Sequence, residues 1–83
     1  MARYTVFLDH EAALAASAMP DRVLKEIVSV LGTLAEDPYP GSDMLDPEGP
    51  ETERLVVGES VVMTLVINES AHEINILGVI WTG

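Results

Sequence analysis

The chain has 83 residues, no cysteine, 48% hydrophobic side chains and a net charge of −10, from 14 acidic against 4 basic residues. At this length a chain buries roughly 60 to 65% of the surface it exposes when unfolded, so nearly every apolar segment must join one core and a second domain is excluded. The lack of cysteine removes disulfides, thiolate metal sites and cysteine nucleophiles, and the dispersed cations Arg3, Arg22, Lys25 and Arg54 are too few for a large nucleic-acid footprint.

The start, Met1-Ala2-Arg3-Tyr4, lacks the basic and long apolar stretches of a secretory signal. No apolar run reaches the roughly 18 residues of a membrane helix, and the sequence reads as that of a cytoplasmic protein. From Arg3 to Leu8, Tyr4, Val6 and Leu8 alternate with Phe7 on the opposite side, the pattern of a short strand. Asp9 fits a helix cap, and the Ala-rich stretch from Glu11 to Ala18, with Leu14 as its only large aliphatic, predicts a short helix able to pack closely. Pro20 fits the start of a second helix, along which Val23, Leu24, Ile27, Val28, Leu31, Leu34 and Ala35 form an apolar stripe. Arg22, Lys25, Glu26, Ser29 and Glu36 face the other way, and Asp37-Pro38 ends the helix.

Residues 38–53 hold four prolines, two glycines and five acidic residues without apolar periodicity, which predicts an acidic, Pro-rich loop. A loop of about sixteen residues is long for so small a domain, and its composition suits a mobile excursion. Three Val/Ile/Leu-rich segments follow, Arg54 to Val57, Ser60 to Ile67 and Glu73 to Trp81, separated by Gly58-Glu59 and by Asn68 to Ala71. The predicted order is β-α-α-β-β-β, an α+β domain with two helices packed on a four-stranded, mainly antiparallel sheet. Strict alternation puts Val61, Met63, Leu65 and Ile67 on one face and Val62, Thr64 and Val66 on the other; in the last strand it sets Ile74, Ile76 and Ile80 against Leu77, Val79 and Trp81. Both faces are then apolar, whereas a solvated face of an antiparallel sheet alternates with polar residues. The second face, around Val62, Val66, Leu77, Val79 and Trp81, is therefore the expected partner-binding surface.

Tyr4-Thr5-Val6, Met19-Pro20 with the amphipathic helix, the closing Leu34-Ala35-Glu36-Asp37-Pro38 and the run Arg54-Leu55-Val56-Val57-Gly58-Glu59 together resemble the RelE/ParE toxin superfamily of toxin–antitoxin modules. The resemblance spans nearly the whole chain and implies the same strand, two-helix, antiparallel-sheet order. It also implies either a ribosome-dependent mRNA endoribonuclease or a gyrase inhibitor, paired with an antitoxin. Cleavage of a phosphodiester needs a group to activate the 2′-hydroxyl, another to protonate the leaving oxygen, and cations for the charge that builds on phosphorus. The family run reads Arg, apolar, Arg, Val, Gly, Asp, Tyr, Arg. Here Arg54 and Gly58 match and Glu59 replaces Asp, but Val56, Ser60 and Val61 stand where Arg, Tyr and Arg would be, and Trp81-Thr82-Gly83 lacks the family's terminal His-Arg pair.

Arg54 is thus the single weak catalytic candidate, with a salt bridge to Glu51, Glu53 or Glu73 as its plainer role. A nuclease would require it to converge with Arg3, Arg22 or Lys25. His10 and His72, each beside carboxylates, read as solvated or capping residues, and nothing has the spacing of a metal site or cofactor motif. An oxygen-only cation site from Asp43, Asp46, Glu48, Glu51 and Glu53 lacks the spacing of a calcium loop. The expectation is a non-enzymatic, toxin-family protein that binds an antitoxin-like protein or a second copy of itself. A further reading has the acidic loop mimic nucleic-acid phosphates and occupy a basic protein.

Overall fold

Pro20 separates the two helices because it has no N–H to donate and its own backbone is extended, with ψ at 154°. It caps α2 (Asp21–Glu36), while Asp9 stands at the N-cap of α1 (His10–Ser17). The computed structural model describes residues 3–83 and places around these helices β1 (Thr5–Leu8), β2 (Asp43–Met44), β3 (Glu53–Val57), β4 (Val61–Asn68) and β5 (Glu73–Trp81). The α+β order expected from the sequence is present, with one more strand than expected, β2, inside the segment read as a loop.

The strands lie in the order β1-β5-β4-β3-β2; β1 runs parallel to β5 and every other neighbouring pair is antiparallel. Val56, Val61, Met63, Leu65, Ile67, Ile74 and Ile76 form the buried face of this sheet. Against it pack Val23, Ile27 and Leu34 of α2, the stripe that the helical spacing predicts, and Ala12 and Ala16 of α1. The alanines of α1 leave no bulk between helix and sheet, so its backbone comes close to β5. Among the described residues no helix is long and apolar enough to cross a membrane.

Residues 38–53, expected as a loop, contain the short strand β2 and several local hydrogen bonds. The Asp37 carboxylate accepts from the Tyr39 N–H at 3.2 Å. Asp46 builds a tight turn in which its carboxylate accepts from the Glu48 N–H at 3.0 Å and its carbonyl from the Gly49 N–H at 2.9 Å. β2 then pairs Asp43 with Leu55 and Met44 with Arg54, and the Leu45 N–H reaches the Glu53 carbonyl at 2.9 Å. Side-chain turns and an edge strand supply this order without any apolar periodicity, and the prolines have no N–H that needs a partner.

Candidate functional site: the open face of the sheet

The strand register fixes which side chains turn away from the helices. One row across this open face is Val57, Val62 and Ile80; another is Glu53, Val66, Asn75 and Phe7; between them lie Asp43, Leu55, Thr64 and Gly78, and Thr5 pairs with Glu73. Val57 and Ile80 are 68% and 64% exposed, and Phe7 and Leu77 are also exposed. Val62 and Val66, two of the residues expected to meet a partner, lie half-buried on this face.

Val79 and Trp81 do not lie there, and the cause is a β-bulge. Leu65 pairs with Ile76 but Thr64 pairs with Gly78, so Leu77 is an extra residue and the inside-outside alternation reverses after it. Val79 therefore faces inward opposite Met63 and is only 7% exposed, while Ile80 takes the place on the open face that strict alternation gave to Val79. Trp81 pairs with Val61 on the helix side, where the Arg22 guanidinium lies 5.9 Å from its ring centroid. Gly78 was the available signal, since an isolated glycine in a strand pattern often marks a bulge. Its backbone also passes close to β4: a Cβ there would come within 3.0 Å of Thr64 Oγ1.

Among the described residues, Arg54 is the only Lys or Arg in a strand. Its side chain turns toward the inner face and under the acidic segment, where it is 7% exposed. Nε donates to Ser42 Oγ at 2.6 Å, one terminal nitrogen to the Glu51 carbonyl at 3.0 Å, and the other to the carbonyls of Ser42 at 2.9 Å and Tyr39 at 3.3 Å. The Ser42 hydroxyl in turn donates a hydrogen bond to the Pro38 carbonyl, and the Tyr39 ring centroid lies 5.0 Å from the guanidinium. Among the described residues no carboxylate joins this set, so the charge is solvated by oxygen dipoles and a π face instead of the expected Glu partner. Arg22, beside Trp81 at the level of Val61, is four strand positions from the Arg54–Leu65 pair, about 13 Å along β4. Arg22 and Arg54 therefore do not converge on one site.

A second polar cluster ties the start of β1, the end of α2 and the β4–β5 turn together. Tyr4 and Tyr39 both donate to Glu69 Oε1, at 2.7 and 2.9 Å. His72 stacks on Tyr4 with ring centroids 5.2 Å apart, and its positive φ of 52° belongs to the turn. The two phenols hold the Glu69 carboxyl below the usual carboxylate range, Tyr4 contributing most. In return the Tyr4 phenol is raised by its bond to Glu69, and Tyr39 is pushed up to about 12, first by burial and then by that same carboxylate. Because the folded-state value of Tyr39 lies above the ordinary 10.0, its contribution to stability is complete below pH 10.0 and is lost as pH rises through about 12. An ultraviolet phenolate titration is expected to show late ionisation of both tyrosines in the parent and earlier ionisation in Glu69→Ala. Two ordinary titrations in the parent would contradict the cluster.

His10 is exposed at the first position of α1 and remote in sequence from these groups. Among the described residues no group of three or more His, Asp or Glu side chains is arranged to hold a metal ion. The open face offers apolar surface, carboxylates and an amide.

Solved structures share this architecture. A chain of the RelBE2 toxin–antitoxin complex of Mycobacterium tuberculosis superposes with a TM-score of 0.84 at 21% identity, over 95% of this chain and 98% of that one. The fold is RelE-like. A chain of the archaeal RelE-RelB complex of Pyrococcus horikoshii OT3 gives a TM-score of 0.76 at 20% identity, over 98% of this chain and 97% of that one. No protein-family model matches the sequence, and no curated protein matches it. The likeness therefore rests on backbone geometry, and the RelE-like fold expected from the sequence is the one the chain adopts.

Proposed function

We propose that this chain is the toxin-fold member of a toxin–antitoxin module and that it acts by binding protein, not by cleaving RNA. The observation that carries this reading is the fate of its one strand arginine. Arg54 is enclosed by three backbone carbonyls, a serine hydroxyl and a tyrosine ring, so the strands present no cation to a phosphodiester. Phosphoryl chemistry without cations at the site forfeits the electrostatic stabilisation that is usually its largest source of acceleration.

The open face supplies the alternative. Val57, Val62, Phe7 and Ile80 leave apolar surface uncovered on a domain that has few large hydrophobics to spare. Both structural neighbours come from complexes with an antitoxin, which supports an antitoxin-like protein as the occupant. The direct test is a purified translation reaction in which ribosome-bound mRNA is mapped for new 5′ ends after addition of the chain. No cut above the untreated reaction is expected. Codon-aligned cuts would overturn the reading.

A further inference from the structure

We propose that the open face receives a basic amphipathic segment of a partner protein, so that the partner's charge is the opposite of this chain's own. The inference rests on the binding reading above and adds the chemistry of the occupant. Three carboxylates share the face with its apolar residues: Asp43 on β2, Glu53 on β3 and Glu73 on β5. Three of the chain's four cations are elsewhere. Arg22 and Lys25 are on α2 and Arg54 is buried, while Arg3, exposed just ahead of β1, is the one cation near the margin of the face.

This distribution decides among occupants. A second copy of the chain, docked face to face, would bring three carboxylates from each side into one desolvated layer and join two bodies each of charge −10. An RNA or DNA strand meets the same repulsion. A segment with leucine-like residues on one side and Lys or Arg at its margins satisfies both halves of the face. Its apolar side covers Val57, Val62 and Ile80, and its cations reach Glu53 and Glu73 across the sheet. The length of β4, eight residues or about 26 Å, sets the size of the segment that could span the face, a helix of about sixteen residues.

The test uses the full chain, isotopically labelled, and a synthetic helix of about sixteen residues with leucine on one face and lysine on the other. Controls are the same peptide with glutamate for lysine and a scrambled lysine/leucine peptide of equal charge. The expected result is saturable binding of the lysine helix with amide shifts centred on Val57, Val62 and Ile80. Ile80→Asp and the pair Glu53→Lys with Glu73→Lys are each expected to weaken it by about tenfold, while Glu48→Lys, in the β2–β3 connection, leaves it nearly unchanged. Thermal melts verify that the variants fold. Shifts centred on the exposed side of α2, equal binding of the glutamate or scrambled peptide, no binding, or a stable dimer of the free chain by sedimentation would each overturn the proposal. Those failures are separable from failure of the binding reading, which only mRNA cleavage would produce.

Discussion

Arg54→Ala is expected to destabilise the fold by about 3 kcal/mol and to release the acidic segment. The substitution removes a guanidinium that is 7% exposed and that holds Ser42, Glu51 and Tyr39 at 2.6 to 3.3 Å. Their oxygens lose donors inside a space that water reaches poorly, and the Tyr39 ring loses its cation. Arg54→Lys keeps the charge but not the planar fork, so it is expected to recover less than half of the loss. The measurements are denaturant unfolding and amide exchange. The midpoint is expected to fall, and the Leu45 N–H, bonded to the Glu53 carbonyl at 2.9 Å, is expected to exchange much faster. Unchanged stability with lost biological activity would instead make Arg54 a functional group.

The comparable loss in the apolar core is expected from Leu65→Ala, at about 2 to 5 kcal/mol. Leu65 is 1% exposed in the middle of β4, between Arg54 on β3 and Ile76 on β5, and the bulge begins at its pairing. Close-packed neighbours on both sides cannot collapse into the space it leaves, so a cavity term adds to the lost transfer energy. A domain of 83 residues has a total stability of about 4 to 12 kcal/mol, and this variant is expected to be partly unfolded near the lower bound. Leu14→Ala, on the exposed side of α1, is expected to stay within about 0.5 kcal/mol of the parent. Equal effects of the two changes in calorimetry would contradict the assignment of the core.

The elements whose order is set by one period were legible from residues alone. Seven of the eight apolar residues of α2 form the stripe expected from three- and four-residue steps; its buried positions Val23, Ile27 and Leu34 belong to it, whereas Val28 is 69% exposed and Val30, outside it, packs on the core. β2 was not legible, because a two-residue strand in a Pro-rich stretch is made by Asx turns and by its neighbour β3, not by its own pattern. Val62 and Val66 follow strict alternation, whereas Val79, Ile80 and Trp81 lie beyond the bulge at Leu77 and change sides. Arg54 was singled out for its isolation, but its partners are carbonyls and Ser42, whose approach depends on how residues 38–53 fold back. No charge pattern announces a carbonyl cage. The same limit hid the Tyr4, Tyr39 and Glu69 cluster, whose members are 30 to 65 residues apart.

The central claim is that a RelE-like fold here serves binding without nuclease chemistry. The most direct measurement is bulk translation in a bacterial host after induction of this chain alone, with its soluble level checked in the same samples. Arg54→Ala is a poor control because its loss of fold would mimic loss of a site. Ile80→Asp, which alters the open face and leaves the buried core intact, is the better one. Translation that continues at the uninduced rate, for parent and variant alike, is the predicted result. A collapse of translation accompanied by cuts in ribosome-bound mRNA would contradict the account and restore a working active site to this chain.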